Sequence, residues 1–245
     1  MLFRSHDEQV LSADDQARWA DWLQRRRDGE PVAYLVGERE FHGLRLAVSP
    51  AVLVPRPDTE VLVDWGLALL AGELAGRAQP ALVDLGTGSG AIALAMKHRH
   101  PAAELTAVDA SPVALAQAAA NGQALALPVR WLASHWWRAL GGQRFDLALS
   151  NPPYIADDDP HLAALRHEPR SALAAGPDGL DDIRELVRDA GSHLSPGGWL
   201  LIEHGWDQAA AVRGLLAEAG FDAVQSRQDL AGHERCSGGR WPATR

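Results

Sequence analysis

The amino-acid sequence predicts an α/β fold with a doubly wound, seven-stranded and mostly parallel sheet, preceded by a small N-terminal helix-plus-hairpin cap. The main observation is that, from residue 81 onward, short apolar runs alternate with segments of helical length. Such alternation produces a parallel sheet that helices cover on both faces. The 245 residues, of which 47% are hydrophobic and 22% charged, suffice for one full domain and a smaller appendage. We therefore place the cap at residues 1–50 and the main domain at residues 51–245.

The cap contains one predicted helix and two predicted strands. Residues 12–28 form the helix, because Ser12 is a suitable N-cap, acidic residues follow in the first turn and arginines occupy the last turn. Residues 32–36 and 44–48 are short segments that predict two strands, with a turn between them. A further helix is expected to begin close to Asp58, after a proline-rich stretch.

The main domain supplies seven predicted strands. They are short apolar runs at residues 81–85, 105–108, 129–132, 145–150, 199–203, 221–226 and 234–241. The main helices expected between them span residues 89–99, 112–123, 180–193 and 207–219. Residues 156–179 are polar, contain proline and glycine, and are too many for a simple connection, which indicates a functional loop.

Composition excludes several classes of protein. The net charge of −9 argues against a protein that neutralises phosphates over a broad surface, so we expect no direct binding of nucleic acid. The single cysteine, Cys236, excludes an internal disulfide framework and a cysteine-rich zinc site, and we expect no metal. No apolar run is long enough to span a membrane and the first residues contain no secretory signal, so we expect a cytoplasmic protein.

A glycine-rich turn follows the first predicted strand of the main domain. It consists of Gly86, Thr87, Gly88, Ser89 and Gly90, and its glycines let a ligand approach the backbone closely. Asp109 ends the next strand, 21 residues after Gly88, where a carboxylate can accept hydrogen bonds from both hydroxyls of a ribose. Together these residues predict an adenosine-containing cofactor at the carboxyl edge of the sheet. The loop alone leaves the cofactor open, because Gly86, Gly88 and Ala91 also satisfy the dinucleotide pattern of nicotinamide enzymes.

The segment Asn151-Pro152-Pro153-Tyr154 directly follows the strand at residues 145–150. The chain has only two asparagines, two tyrosines and 15 prolines, so this tetrapeptide is improbable by chance, and the alternative is a rigid turn with a packed tyrosine. Methylation of a planar nitrogen requires that its N–H groups be held so that the lone pair faces the methyl group. The Asn151 oxygen and the Pro152 carbonyl can accept those hydrogens, while Tyr154 can stack on a flat amide or base.

With these motifs the sequence resembles the release factor glutamine methyltransferases, class I enzymes that depend on S-adenosylmethionine. The resemblance extends from about residue 29 to residue 241. Further segments that carry it are Gly29-Glu30-Pro31-Val32-Ala33-Tyr34-Leu35, Phe41-His42-Gly43-Leu44, Pro55-Arg56-Pro57-Asp58-Thr59-Glu60, Glu168-Pro169-Arg170, Gly176-Pro177-Asp178-Gly179-Leu180 and Glu203-His204-Gly205-Trp206. The resemblance implies a Rossmann-like class I methyltransferase fold whose last strand pair contains an antiparallel member. It also implies that residues 1–50 help to recognise the substrate.

The same resemblance assigns roles to site residues. Gly86 to Gly90 would cradle the methionine part of S-adenosylmethionine, Asp109 would hold its ribose, and Trp136 would flank its adenine. Asn151 would contact both the cofactor and the substrate amide. Catalysis would rest on Asn151, Pro152 and Tyr154, and Pro153 would complete the substrate clamp.

Three other residues are weighed beside these. Arg56, between two prolines, is a candidate contact to the substrate protein, and a solvated loop charge explains it equally well. Glu203 ends a predicted strand at the same edge of the sheet, where a loop hydrogen bond explains it equally well. His135 stands where the family usually has an acid.

The implied reaction transfers a methyl group from S-adenosylmethionine to the side-chain nitrogen (N5) of the glutamine in the Gly-Gly-Gln motif of peptide chain release factors. An acidic, monomeric enzyme suits a substrate region that must bind ribosomal RNA and tends to be basic. Two other substrates stay open: a glutamine of a ribosomal protein and, in a different class, adenine N6 of DNA, which would need a target-recognition domain and a basic cleft. A non-catalytic module that binds this cofactor or NAD is the remaining alternative.

Overall fold

The computed structural model describes residues 10–243 and contains a hairpin and a larger sheet. The hairpin strands are β1 (Glu38–Phe41) and β2 (Leu44–Ala47). The strands of the larger sheet are β3 (Ala81–Leu85), β4 (Glu104–Asp109), β5 (Arg130–Ala133), β6 (Phe145–Ser150), β7 (Leu194–Glu203), β8 (Asp222–Gln228) and β9 (Glu234–Arg240). The helices are α1 (Ala13–Arg27), α2 (Val32–Val36), α3 (Glu60–Ala71), α4 (Ala91–Arg99), α5 (Pro112–Ala124), α6 (Asp181–Ala190) and α7 (Ala209–Glu218).

The larger sheet has seven strands in the order β5-β4-β3-β6-β7-β9-β8. Neighbouring strands from β5 to β7 pair in parallel, and β9 pairs antiparallel with both β7 and β8. The predicted fold is confirmed, including the antiparallel member in the last strand pair. The chain moves outward from β3 to β4 and β5 on one side and then crosses to β6 on the other. The loops after β3 and β6 therefore separate at the carboxyl edge and leave a crevice there.

Helices cover both faces of this sheet. On one face α3 and α4 pack against the strands, with Leu62 and Leu94 fully buried, and on the other α6 and α7 do so, with Ile183 and Val212 fully buried. The sequence of α6 explains its orientation, because its buried residues recur at helical spacing: Ile183, Leu186, Val187 and Ala190. All six residues of β6 are buried, as expected of a strand that is covered on both faces.

The predicted strand at residues 32–36 is wrong, because these residues form α2. A run of five apolar residues does not distinguish a helix from a strand by its periodicity, so the residues at its two ends are the better guide to its structure. Pro31 stands at the start of the helix, and Gly37 ends it in the left-handed conformation at φ 80°. The hairpin consequently begins at β1. The short helix fastens the cap to the main domain, because the buried Tyr34 hydroxyl donates a hydrogen bond to the Val52 carbonyl oxygen at 2.5 Å.

The remaining elements lie close to their predicted bounds. The predicted helix at residues 12–28 is α1, and the Ser12 side chain accepts a hydrogen bond from the Asp15 backbone N–H at 3.1 Å, as a cap should. β7 begins at Leu194, five residues before the expected start. Residues 156–179 contain two 3₁₀ segments, Pro160–Leu165 and Arg170–Ala172, and one isolated β-bridge residue, Ala174, which agrees with the predicted loop. Within residues 10–243, no helix has the length and apolar character needed to cross a membrane.

Candidate active site

A cleft of about 270 Å³ opens at the carboxyl edge of the sheet. The loops after β3, β4, β5 and β6 line it, together with the first turns of α4 and α5 and with Asp182. Its other walls come from two further segments: Ala51, Val52, Leu53, Pro55 and Thr59 before α3, and Pro169, Ser171 and Ala172 of the long loop. Parallel strands bring these loops together because their carboxyl ends all meet at one edge. The cleft thus combines residues that are more than 100 positions apart in the sequence.

The glycine loop forms one wall of the cleft. Four of its residues line the cleft: Gly86, Thr87, Gly88 and Ser89. Gly90 is not on the lining and is the N-cap residue of α4. Gly86 has a φ of +76°, and a Cβ atom there would stand 2.9 Å from Cζ3 of the Trp136 ring. Only glycine therefore permits this loop to lie against that ring.

Asp84 supports the glycine loop from below. Its Oδ2 atom accepts hydrogen bonds from the Thr87 hydroxyl at 2.6 Å and from the Ala93 backbone N–H at 3.1 Å. The side chain is buried, and this burial raises the pKa of Asp84 to about 7. Sequence reasoning missed this residue. The sequence feature that could have identified Asp84 is an acidic residue in an otherwise apolar strand that leads into the glycines.

Asp109 lies at the cleft as predicted. Its Oδ2 atom accepts a hydrogen bond from the Gly88 N–H at 2.8 Å, and its Oδ1 atom accepts one from the Ser111 N–H at the same distance. Each carboxylate oxygen keeps a second lone pair. The carboxylate is therefore fixed in orientation and still able to accept hydrogen bonds from two hydroxyls of a ligand.

Trp136 also lines the cleft, beside a carboxylate that sequence reasoning did not identify. The Trp136 Nε1–H donates a hydrogen bond to Asp182 Oδ1 at 3.1 Å, and Asp182 itself lines the cleft. Burial raises the pKa of Asp182. His135, also on the lining, is exposed and has its Nδ1 atom 3.4 Å from Glu185 Oε1.

Asn151 lines the cleft, and only one of its two side-chain polar atoms has a partner. Its Nδ2 atom donates a hydrogen bond to the Thr59 hydroxyl oxygen at 3.1 Å. Its Oδ1 atom is buried and has no hydrogen-bond partner among the described residues. A buried acceptor without a partner is costly, by about 1–3 kcal/mol, and such atoms are typical of sites that bind a donor.

Of the other three residues of the tetrapeptide, one lines the cleft and two do not. Pro153 lines the cleft, whereas Pro152 and Tyr154 are not part of its lining. The Tyr154 hydroxyl donates a hydrogen bond to Glu203 Oε1 at 3.4 Å, and the Tyr154 carbonyl oxygen accepts one from Gln208 Nε2 at 3.0 Å. Burial raises the pKa of Tyr154, so its hydroxyl stays protonated and continues to donate.

Glu203 is a buried carboxyl group directly behind this turn. It is 1% exposed, and burial, which outweighs the lowering effect of the Thr59 and Tyr154 hydroxyls, raises its pKa to about 7. Its Oε2 atom has no hydrogen-bond partner in the described part of the chain. The sequence placed Glu203 at the end of a strand beside the site, with a helix-capping or loop hydrogen bond as the equal alternative, whereas Thr59 was not singled out within its motif.

Arg56 has a structural partner. Its guanidinium group pairs with the buried Glu168 carboxylate, which also accepts a hydrogen bond from the Val54 N–H at 3.0 Å. This pairing fastens the cap junction to the long loop, and Arg56 does not line the cleft. Its predicted contact with a substrate protein stays a prediction.

The cleft fits S-adenosylmethionine in the chemistry of its lining. A glycine backbone offers close approach, Asp109 offers acceptors for ribose hydroxyls, and Trp136 offers an aromatic face for a purine. Val52, Leu53 and other apolar residues provide the remaining wall.

Comparisons with known proteins agree with this description. The family model described as the methyltransferase small domain matches residues 59–209, and the PrmC N-terminal domain model matches residues 2–37. The chain is 51% identical over 238 residues to the release factor glutamine methyltransferase of Bordetella pertussis, across 96% of this chain and 87% of that protein. It is 48% identical over 237 residues to the release factor glutamine methyltransferase of Salmonella typhimurium, across 96% of this chain and 84% of that protein.

A solved structure shares the fold. The Thermus thermophilus 16S rRNA N2 G1207 methyltransferase, in complex with AdoMet and guanosine, matches with a TM-score of 0.62 at 21% identity. The match covers 83% of this chain and 49% of that chain.

Proposed function

Since this chain belongs to the release factor glutamine methyltransferases, we propose that it transfers a methyl group from S-adenosylmethionine to N5 of the glutamine in the Gly-Gly-Gln motif of peptide chain release factors. The observation that carries the proposal is the buried Oδ1 atom of Asn151, an acceptor without a partner at the cleft. A side-chain amide with two N–H donors is the group that such an acceptor can orient.

The cofactor is held by one end of the cleft in this proposal. The backbone of residues 86–90 cradles the methionine part, Asp109 accepts the ribose hydroxyls, and Trp136 flanks the adenine. When bound, S-adenosylmethionine supplies a methyl group on a sulfonium, which is a good leaving group. No metal and no covalent enzyme intermediate are then needed.

The substrate amide is held by the other end. Asn151 Oδ1 accepts one N–H of the glutamine side chain and the Pro152 carbonyl oxygen accepts the other, so that the nitrogen lone pair faces the methyl group. Pro153 and Tyr154 complete the clamp around the amide. Once the nitrogen carries the methyl group it loses a proton to water, which leaves a neutral secondary amide. Positioning of this kind supplies a large part of the rate enhancement in a bimolecular transfer.

The proposal assigns the two parts of the chain different tasks. Residues 51–245 carry out the transfer as a single chain, since every proposed contact comes from one copy, and residues 1–50 take part in recognising the protein substrate. Arg56 can contribute to that recognition through the part of its guanidinium group that Glu168 leaves free. The net charge of −9 favours a basic protein surface as partner over direct contact with nucleic acid.

The test is methyl transfer from labelled S-adenosylmethionine to a purified release factor, with peptide mass spectrometry to locate the label. We expect one methyl group on the Gly-Gly-Gln glutamine and a loss of about 100-fold or more with Asn151→Ala. Gln123→Ala is the matched control, because it removes an exposed side-chain amide from α5, and it should transfer at the normal rate.

Two outcomes would contradict the proposal. A methyl group on another residue, or equal labelling of a release factor whose Gly-Gly-Gln glutamine is replaced by alanine, would remove the assigned substrate. Full activity of Asn151→Ala would remove the assigned clamp.

A further inference from the structure

We propose that Gln208, directly before α7, is a positioning residue for methyl transfer. Its side-chain amide joins the Asn-Pro-Pro-Tyr turn (residues 151–154) to the end of the long loop (residues 156–179), and so sets where the turn holds the substrate amide. Gln208 does not line the cleft, so it acts through the turn and not on the reacting atoms. The inference rests on the proposed function for its catalytic meaning, whereas its structural content can be measured in the free protein.

Three backbone carbonyl groups converge on the Gln208 side chain. They belong to Tyr154 of the turn and to Asp178 and Gly179 of the long loop, and Gln208 Nε2 donates to their oxygens at 3.0, 3.3 and 3.5 Å. Carbonyl oxygens only accept, so none of the three can satisfy another. An NH₂ group between them supplies the missing protons. This group therefore permits the long loop to lie against the turn.

The orientation of the Gln208 amide is fixed by its other end. Its Oε1 atom accepts a hydrogen bond from the Gly205 backbone N–H at 2.8 Å. The reversed amide would place an oxygen against the three carbonyl oxygens and an NH₂ group against an N–H, so that no hydrogen bond could form at either end. The surrounding space is also narrow, since a Cβ atom on Gly179 would stand 2.9 Å from Nε2 and one on Gly205 would stand 3.0 Å from Oε1. Only one orientation fits.

The loop that carries Gln208 is fastened from behind by a buried histidine. His204 Nδ1 is 2.8 Å from the Gly205 carbonyl oxygen, and His204 Nε2 is 2.7 Å from the Ser237 hydroxyl. Ser237 is 2.7 Å from the Ser226 hydroxyl, which accepts a hydrogen bond from Arg213 Nη1 at 2.6 Å. Burial lowers the pKa of His204, which keeps the imidazole neutral. Because arginine only donates and a carbonyl only accepts, these hydrogen bonds run in one direction, from Arg213 to Gly205.

The hydrogen bond from Gln208 completes the support of Tyr154. The Tyr154 N–H donates to the Leu173 carbonyl oxygen of the long loop at 3.2 Å, and the Tyr154 carbonyl is the group that Gln208 holds. Tyr154 directly follows Pro153, and both Pro153 and the long loop contribute to the wall of the cleft. A shift of the turn relative to the loop would therefore displace the substrate amide from the methyl group. A displacement of about 1 Å can lower a rate by about 100-fold.

The variant Gln208→Glu separates the two ends of the amide. It has nearly the same shape and keeps an acceptor for the Gly205 N–H, but it turns a second oxygen towards the three carbonyl oxygens. We expect kcat for methyl transfer to the release factor to fall by about 10- to 100-fold at about pH 8, and the Kd of S-adenosylmethionine, measured by titration calorimetry, to change by less than about 2-fold. Gln123→Glu makes the same chemical change at an exposed position of α5 and should keep the natural kcat.

Lowering the pH should restore the function of Gln208→Glu. A protonated carboxyl group can again donate to the Tyr154 carbonyl oxygen, so the ratio of the kcat of the variant to that of the natural enzyme should rise as pH falls from about 8 to about 5.5. Gln208→Asn is the second variant, because its amide is one methylene group shorter and cannot reach both sides. It should lose kcat to a similar extent and should not recover at low pH. A purely structural role would lower the melting temperature of both variants and leave kcat of the folded enzymes unchanged.

Hydrogen exchange measured by mass spectrometry gives a readout that needs no substrate. In free Gln208→Glu at about pH 8, we expect the backbone amides of residues 153–157 and 173–179 to exchange about 10-fold faster than in the natural protein. The amides of residues 86–94 should exchange at the natural rate, because their hydrogen bonds do not involve Gln208.

The inference is overturned if folded Gln208→Glu keeps the natural kcat, if its affinity for S-adenosylmethionine falls as much as its kcat, or if exchange in the turn and the long loop is unchanged. Failure of the proposed function would show differently. The natural enzyme would then methylate no release factor, although Gln208→Glu would still loosen the turn and the long loop.

Discussion

The two loops that form the site lie side by side at one edge of the sheet, yet they are held in place in different ways. The glycine loop after β3 is supported by hydrogen bonds to residues 3 to 32 positions away in the sequence: Asp84 binds Thr87 and Ala93, Asp109 binds Gly88, and Asn121 binds Ser89. The Asn-Pro-Pro-Tyr turn after β6 is supported from a distance. Thr59 is 92 residues from Asn151, and Glu203 is 49 residues from Tyr154.

This difference shows how the two halves of the reaction are built. The proposed cofactor end is built around β3, β4 and the glycine turn before α4, and its geometry follows from its own glycines and two acids, Asp84 and Asp109. The proposed substrate end is a meeting point of α3, β6, β7 and the long loop. A change far from the turn can therefore alter the position of the substrate amide and leave the cofactor end intact.

The largest expected loss of stability is at Gly179, where the long loop (residues 156–179) contacts the Asn-Pro-Pro-Tyr turn. Gly179 has a φ of +72°, and a Cβ atom there would stand 2.2 Å from the Tyr154 carbonyl oxygen. For Gly179→Ala, the left-handed conformation adds about 1–2 kcal/mol and overpacking against fixed backbone adds about 1–3 kcal/mol. We expect the free energy of unfolding to fall by roughly 4–5 kcal/mol, the upper end of this sum, measured by urea denaturation.

Gly176→Ala is the matched comparison for that change. Its φ of +77° imposes the same strain, but the added Cβ atom would meet the Asp181 carboxylate, which is the end of a flexible side chain that can move. The loss should stay near about 1–2 kcal/mol, the strain alone. Equal losses at the two positions would mean that the close approach to Tyr154 does not hold the turn.

The second effect is expected at the glycine loop. In Gly86→Ala, the added Cβ atom would press on the Trp136 ring at 2.9 Å with φ at +76°, and we expect a loss of roughly 2–4 kcal/mol in the free energy of unfolding. Gly88→Ala has a comparable φ of +55° but open space around the new atom, so about 1–2 kcal/mol should be lost. If the two variants lose equal amounts in the ligand-free protein, the Trp136 contact is not what requires glycine at Gly86.

The same contrast explains what the sequence could predict. The glycine loop, Asp109 and the strands around them follow from local patterns, and the fold class was confirmed. Asn151 and Pro153 were predicted at the site, and both line the cleft. These features depend on residue types at short spacing, which can be read from the chain alone.

What sequence reasoning missed depends on tertiary contacts. No local pattern places Thr59 beside Asn151 or directs the Tyr154 hydroxyl towards Glu203. Asp182 reaches the cleft only because α6 packs beside Trp136. The strand predicted at residues 32–36 failed for a local reason, since five apolar residues suit either structure and the decision lay in Pro31 and Gly37.

The smallest expected effect is a change in how stability depends on pH. It concerns a feature that the two loops share, a buried carboxyl group whose pKa is raised to about 7. This group is Asp84 at the glycine loop and Glu203 at the Asn-Pro-Pro-Tyr turn. The folded state of such a group keeps its proton between about pH 4 and pH 7, where the unfolded chain has lost it. The unfolded state then binds fewer protons, so this contribution to stability is full at low pH and is lost as pH rises towards 7. Asp84→Asn keeps an oxygen for Thr87 and Ala93 but has no ionisation. We expect its stability relative to the natural protein to increase by up to about 1.4 kcal/mol per pH unit between pH 5 and pH 7, measured by urea denaturation.

Two further variants decide whether this pH dependence belongs to the buried groups. Glu203→Gln should change in the same direction over the same range, because its carboxyl group is buried by the same sheet edge although its supporting contacts are distant in sequence. Asp158→Asn removes the same charge from an exposed position of the long loop and is the surface control for the loss of one carboxyl group. If Asp84→Asn gives a difference that is constant with pH, the carboxyl group beneath the glycine loop is already ionised in the folded protein. Its hydrogen bonds to Thr87 and Ala93 would then outweigh the effect of burial.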